Sequence, residues 1–248
     1  MIKFFRKIRQ NLLMENKTGK YLKYAIGEII LVVIGILIAL QVNNWNEQRK
    51  IKSLLSDYKE SLLTDLNQDI IVLKQIIEEA KKDSLKQVKI ARRLSSKYST
   101  IDTLKVIVQN DLSWSYRIFR TPNRNTLLAM QNNGIIESFD KKTYDYLINL
   151  QTSQNISEDI IKAQALQFQN QVDKFLTKYS SLGDSIVIGG PLYENKWKNV
   201  DENELFNHVE AIMLTKNYMN TQGNIIRRRL LSLTKLTRNH LFEQKKKQ

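Results

Sequence analysis

The sequence predicts an all-α chain: one N-terminal transmembrane helix followed by an elongated antiparallel helical bundle. Three observations carry this. Residues Ile29 to Leu40 read IILVVIGILIAL, twelve apolar residues without a break. Downstream, apolar residues recur at three- and four-residue steps, the period of an amphipathic helix. The 248 residues include only 2 Pro and 8 Gly, so little interrupts those patterns.

Residues 1–23 read as a basic cytoplasmic tail. Lys3, Arg6, Lys7, Arg9, Lys17, Lys20 and Lys23 face a single acid, Glu15. Phe4, Phe5, Ile8, Leu12 and Leu13 fall between these cations at helical spacing. That is the pattern of an amphipathic helix on an anionic leaflet. A plain basic tail that fixes topology accounts for the same residues.

Residues 24–44 form the expected span. Crossing the hydrocarbon takes about 20 residues, and the flanks of the apolar run supply the remainder. From Tyr24 to Val42, Glu28 and Gln41 are the only strongly polar members, and both lie near the ends. Tyr21 and Tyr24 mark one interface and Trp45 the other, as aromatic belts do. A soluble core helix is disfavoured because no later segment is comparably apolar and able to surround this one. A cleaved signal is disfavoured because the LQVNNWNE that follows lacks a small-x-small site. Seven basic residues precede the span, against Arg49, Lys50, Lys52 and Lys59 after it. This bias places the N-terminus in the cytoplasm and residues 45–248 outside it, which in a Gram-negative cell is the periplasm. Gly35 and Ala39 are four apart, and Gly27 lies eight before Gly35 on nearly the same face. Small residues so placed allow close helix contact, with Glu28 adding a polar one. The expected partners are the bilayer and, through this face, a second copy or another membrane protein.

The domain after the span has no cysteine, which excludes disulfides, thiolate metal sites and a cysteine nucleophile. The formal charge is +14. Roughly +6 of it belongs to residues 1–23 and the rest is spread along the domain, so nucleic acid is not the expected partner. A first long helix carries Leu55, Tyr58, Leu62, Leu66, Ile70, Leu73, Ile77 and Ala80, continued by Val88, Ala91 and Leu94, with a local break expected near Asn43-Asn44. Residues 101–121 fit strand or helix, and Thr121-Pro122-Asn123 is a turn or helix start. A short helix over Asn125–Asn132 ends at Gly134. Another starts at Asp140. Ser157 is expected to cap a further one, with Glu158 and Asp159 in its first turn and a stripe of Ile161, Ala165, Phe168, Val172, Phe175, Tyr179 and Leu182. Gly183, Gly189, Gly190 and Pro191 make a loop, with a short strand at the SIVI of residues 185–188. The last helix runs from about Glu202 to Phe242 on Leu205, Val209, Ile212, Met219, Ile226, Leu230, Leu233 and Leu241.

The AIGE of residues 25–28, the VVIGILIALQ of 32–41 and the NNWNE of 43–47 together resemble the N-terminal signature of an uncharacterised family of single-span membrane proteins from Bacteroidota. The likeness continues more weakly through TPNRNTLLAMQNNGIIESF. It implies an inner-membrane protein with a helical soluble part, and brings no catalytic or ligand residue.

Candidate chemistry is thin. His208 and His240 fit no His-x3-His or HExxH spacing. Glu204 and His208 read as a surface pair rather than a metal site, and Arg227, Arg228 and Arg229 as a solvated face. No catalytic, cofactor-binding or metal-binding residue is assigned. The expected function is a membrane-anchored periplasmic interaction or sensory module. The alternative is an enzyme or enzyme subunit at the periplasmic face, using the Tyr, Arg and carboxylate residues around WSYRIFRTPNR.

Overall fold

A computed structural model describes residues 18–116, 119–179 and 197–246. Residues 1–17 of the basic tail and the SIVI segment lie outside the described residues, as do Leu182 and the glycines of the 183–190 loop, while residues 18–23 of the tail begin the first helix. No strand occurs among the described residues. The elements are helices α1 (Thr18–Leu94), α2 (Ile101–Val106), a π-helical turn (Ile107–Asp111), α3 (Asn125–Asn132), a 3-10 turn (Ile135–Ser138), α4 (Lys141–Tyr179) and α5 (Glu202–Lys246). Two compact units divide after Asp57.

In the first unit, α1 passes through Asn43-Asn44 without the expected break. Asparagine is a modest helix former, and no glycine or proline stands beside the pair to stop the helix. An 18-residue window here has mean hydropathy 2.6, and none of it is buried. This is the one helix among the described residues long and apolar enough to cross a membrane. Gly27 and Gly35 have open space around them. Trp45 is exposed, with the Arg49 guanidinium 6.0 Å from its ring centre.

In the second unit, α5 runs antiparallel to both other long helices. Lys245 pairs with Glu60 at one end, and Asn220 donates to Gln87 at 3.2 Å toward the other. Likewise His240 stacks on Tyr146, while Lys178 pairs with Glu204. The segment between Leu94 and Asp140 is the return leg. It passes Arg93 at Asp111, and Asn133 donates to Tyr58. The architecture is thus up, down, up, down, but the second leg is mostly irregular. It holds a short helix, a π-helical turn and, before α3, described residues that belong to neither helix nor strand. Within residues 101–121 the first half is helical, and the described residues 112–116 and 119–121 belong to neither helix nor strand. Thr100 caps α2 through a reciprocal bond with Thr103.

Ser157 is not a cap. It lies inside the continuous α4, and its hydroxyl donates to the Ser153 carbonyl at 2.6 Å. Serine can return its hydrogen bond to the preceding turn, so the helix continues through it. Gly134 has φ of 68°, the left-handed conformation that ends α3.

The core of the second unit follows the predicted stripes with local shifts. Phe168 and Phe175 are fully buried, with Leu205, Val209 and Ile212 against them. Trp114 of the return leg stacks on Phe175 at 4.8 Å. On α1 the buried line runs Leu62, Leu66, Asp69, Leu73, Ile76 and Ala80, then Ile90, while Val88 and Ala91 are exposed. On α5 it runs Leu205, Val209, Ile212, Lys216, Met219, Gly223, Arg227, Leu230, Thr234, Thr237 and Leu241.

Candidate functional site

The irregular leg leaves space that a helix would fill. A cavity of about 460 Å3 opens between its 119–125 stretch, residues 68–76 of α1, Gln154 of α4 and residues 227–234 of α5. Its walls are unusually charged for the inside of a bundle. Asp69 is 7% exposed and Arg227 is 6% exposed, and Arg120 and Arg124 complete the cationic side.

Asp69 sits at a position where the α1 stripe would otherwise place a hydrophobe. Asn123 holds it: the Asn123 backbone N–H donates to Asp69 Oδ1 at 3.0 Å, and its amide nitrogen donates to Asp65 Oδ1 at 2.6 Å. Pro122 fixes its own φ and biases the residue before it toward extended backbone, which brings the turn to α1. The second oxygen of Asp69 is buried without a hydrogen-bond partner. Burial pushes the Asp69 carboxyl up to about 6; Asp65 adds to the rise, and the Asn123 N–H and Arg124 oppose it. An unsatisfied buried oxygen costs about 1–3 kcal/mol, so the fold holds this group at a disadvantage.

Arg227 is buried because of Gly223, one turn earlier. A β-carbon there would stand 2.8 Å from Arg227 Nη1. The missing side chain lets the guanidinium lie against its own helix. This corrects the expectation of a solvated triple arginine: Arg228 and Arg229 are exposed and Arg227 is not. Arg124 is part-buried and bonds Glu158 at 3.0 Å, while its Nε faces no partner.

A second cavity of about 550 Å3 lies beside the 111–116 stretch and shares Ile76 and Arg120 with the first. Its buried cation is already engaged. Lys216 donates to the carbonyls of Ser113 and Ser115 at 2.5 and 3.0 Å and lies over the Phe168 ring.

Neither histidine sits in a catalytic arrangement. His208 packs edge-on against Phe175 and Tyr179, and Glu204, its expected partner, pairs with Lys178. His240 Nε2 lies 2.9 Å from Thr143 Oγ1, which is 2.5 Å from Asp140 Oδ2. With one hydrogen, the hydroxyl donates to the carboxylate and accepts from the imidazole N–H. The order is carboxylate, hydroxyl, imidazole, and Thr143 is fully buried. It is a clasp joining the start of α4 to the end of α5, not an activated nucleophile. Among the described residues, no group of three or more His, Asp or Glu side chains is placed to hold a metal ion.

Fold and site together define an all-helical domain with a charged internal cavity, preceded by a helix apolar enough for a membrane. Over residues 28–144 the chain matches the model of a family of unknown function (DUF6090). No curated protein and no solved structure matches it. The matched stretch includes Asp69, Asn123 and Arg124, and stops short of Gln154 and Arg227.

Proposed function

We propose that the chain is a membrane-anchored sensory module whose helical domain binds a small ligand and passes its state to a membrane partner. The observation that carries this is the cavity, where a buried carboxylate oxygen without a partner shares the lining with a buried guanidinium. Folding tolerates such groups where ligand recognition needs them. The apolar helix near the N-terminus supports the anchor. The excess of cations before it supports a single pass through the inner membrane, with residues 45–248 in the periplasm. The AIGE, VVIGILIALQ and NNWNE segments support membership in a single-span family of Bacteroidota. On this reading a signal leaves through a membrane partner, with the Gly27, Gly35 and Ala39 face as the contact and Glu28 as its polar element.

The chain has no cysteine, so single cysteines report topology cleanly. Tyr98 is 78% exposed. In spheroplasts, an impermeant maleimide is expected to label Tyr98→Cys directly and Gln10→Cys only after lysis. The reverse pattern overturns the orientation. In mild detergent the full chain is expected to retain a stoichiometric membrane protein. Purification alone, together with turnover on a substrate panel, favours the enzyme reading instead.

A further inference from the structure

We propose that the cavity between α1, the 119–125 stretch, α4 and α5 takes a neutral sugar, with one hydroxyl donating to Asp69 Oδ2 and a hydroxyl oxygen accepting from Arg124 Nε. This deepens the sensory-module reading and rests on it only in taking the cavity as a ligand site.

Among the described residues, two unsatisfied groups of opposite sense belong to side chains that line this space. Asp69 is 7% exposed, and its Oδ2 is a buried acceptor without a donor. Arg124 bonds Glu158 through Nη2, while its buried Nε–H has no acceptor. The two residues meet at one turn. The Asn123 N–H holds the other Asp69 oxygen at 3.0 Å, and Arg124 follows directly, near enough for its charge to act on the Asp69 carboxyl.

A ligand that settles both groups must donate and accept within a short distance. A hydroxyl does both, and neighbouring hydroxyls on a sugar ring do so at more than one separation. Charged ligands fit less well. An anion would stand beside Asp69 Oδ2 and leave that oxygen unsatisfied. An ammonium would satisfy Asp69, leave Arg124 Nε without an acceptor, and enter a space lined by three guanidiniums. Arg227 has a partner already and Arg124 has Glu158, so neither calls for a ligand anion. A single water also donates and accepts, but it needs only about 10–15 Å3. The cavity holds about 460 Å3, within the roughly 300–1,000 Å3 of small-molecule pockets. The rest of the lining suits a sugar. Gln68, Asn125 and Gln154 carry neutral amides that donate and accept. Val72, Leu73, Ile76 and Phe119 supply an apolar wall for the C–H face of the ring.

The test uses the full chain purified in a polyoxyethylene detergent, because glucoside and maltoside detergents carry sugar headgroups. D-glucose, D-galactose, D-mannose, maltose, lactose and mannobiose are titrated by calorimetry, since concentrated sugars raise the Tm of any folded protein by exclusion from its surface. At least one is expected to bind saturably with a Kd of about 1 mM or tighter. The matching amino sugar and uronic acid, each adding one charge, should bind no more tightly than the neutral parent. Asp69→Asn removes the carboxylate. Arg124→Lys keeps a cation for Glu158 and loses the Nε–H. Each should weaken binding at least tenfold while keeping the helical circular dichroism and a cooperative melt. The proposal is overturned if no neutral sugar in the set binds saturably at millimolar concentration. It is equally overturned if a charged analogue binds more tightly than its parent, or if either folded variant keeps the parent's affinity. These outcomes separate from failure of the module reading. Periplasmic labelling and a retained partner without a sugar response sink the ligand alone. A sugar response with reversed topology sinks the module and leaves the site.

Discussion

Arg227 occupies the space that a β-carbon on Gly223 would need, with Nη1 only 2.8 Å from where that carbon would stand. The glycine is therefore a seat for the guanidinium, cut into the helix that carries it. Glycine inside a helix costs about 1 kcal/mol relative to alanine, so Gly223→Ala offers α5 a gain in propensity and evicts the arginine. Because the displaced group is the far end of a flexible side chain, the two effects nearly cancel. The variant should melt within about 2 °C of the parent and lose most of its response to a cavity ligand. Calorimetry with and without ligand checks both halves.

Asp69 makes an acid-side signature. Its carboxyl is raised to about 6 from an ordinary 3.8, so between those values the folded state holds more protons than the unfolded one. Stability contributed by this group is therefore greatest below pH 4 and falls as pH rises through 6. Asp69→Asn keeps an oxygen for the Asn123 N–H and carries no charge. It should stabilise the ligand-free protein at pH 7.5 by on the order of 2–3 kcal/mol and remove the slope between pH 4 and 6. Urea melts across that range give the answer; an unchanged slope would mean that Asp69 is not the titrating group.

Asp140 works in the opposite direction. The Thr143 hydroxyl is the largest cause holding its carboxyl below the usual range, with the Thr143 and Lys142 N–H groups and His240 adding to it. Its stabilisation is present above the ordinary carboxylate value and is lost as pH falls through the lowered one. Thr143→Val keeps the shape and deletes the hydroxyl that joins Asp140 to His240. It should cost about 1–3 kcal/mol at pH 7 and less at pH 3. Equal losses at both would place the effect in packing instead.

The proposed membrane contact is testable apart from the domain. In a dimerisation reporter carrying residues 21–46, Gly35→Leu should block close approach and Glu28→Leu should remove the polar contact. If the parent span gives no signal above a poly-leucine control, and cross-linking at positions 35 and 39 in native membranes finds no partner, the helix is an anchor only.

The fold was largely readable because the second half of α4, through Ile161, Ala165, Phe168, Val172, Phe175 and Tyr179, and the start of α5, through Leu205, Val209 and Ile212, carry clear hydrophobic stripes. The site was not, because it is built from polar residues at seam positions. Beyond Met219, Ile226 and Leu233 offer the apolar continuation, yet both are half-buried and the seam runs through Gly223 and Arg227. Two successive steps of four, from Met219 to Gly223 to Arg227, shift the line and hide it from a heptad reading. The usable signal was the residue that breaks a stripe: Asp69 between Leu66 and Leu73, and Lys216 between Ile212 and Met219. Each is buried. The return leg carried no periodicity to read, since its course depends on Asn123 reaching carboxylates 54 and 58 residues earlier.

That the cavity is walled by four stretches drawn from residues 68 to 234 has a consequence for the lifetime of the molecule. A ligand touching all four works as a removable cross-link, binding the folded chain and not the unfolded one. Proteases that act on opened chains would then clear the empty protein faster than the filled one. The number of copies in the cell, and not only their conformation, would rise and fall with the supply of the ligand.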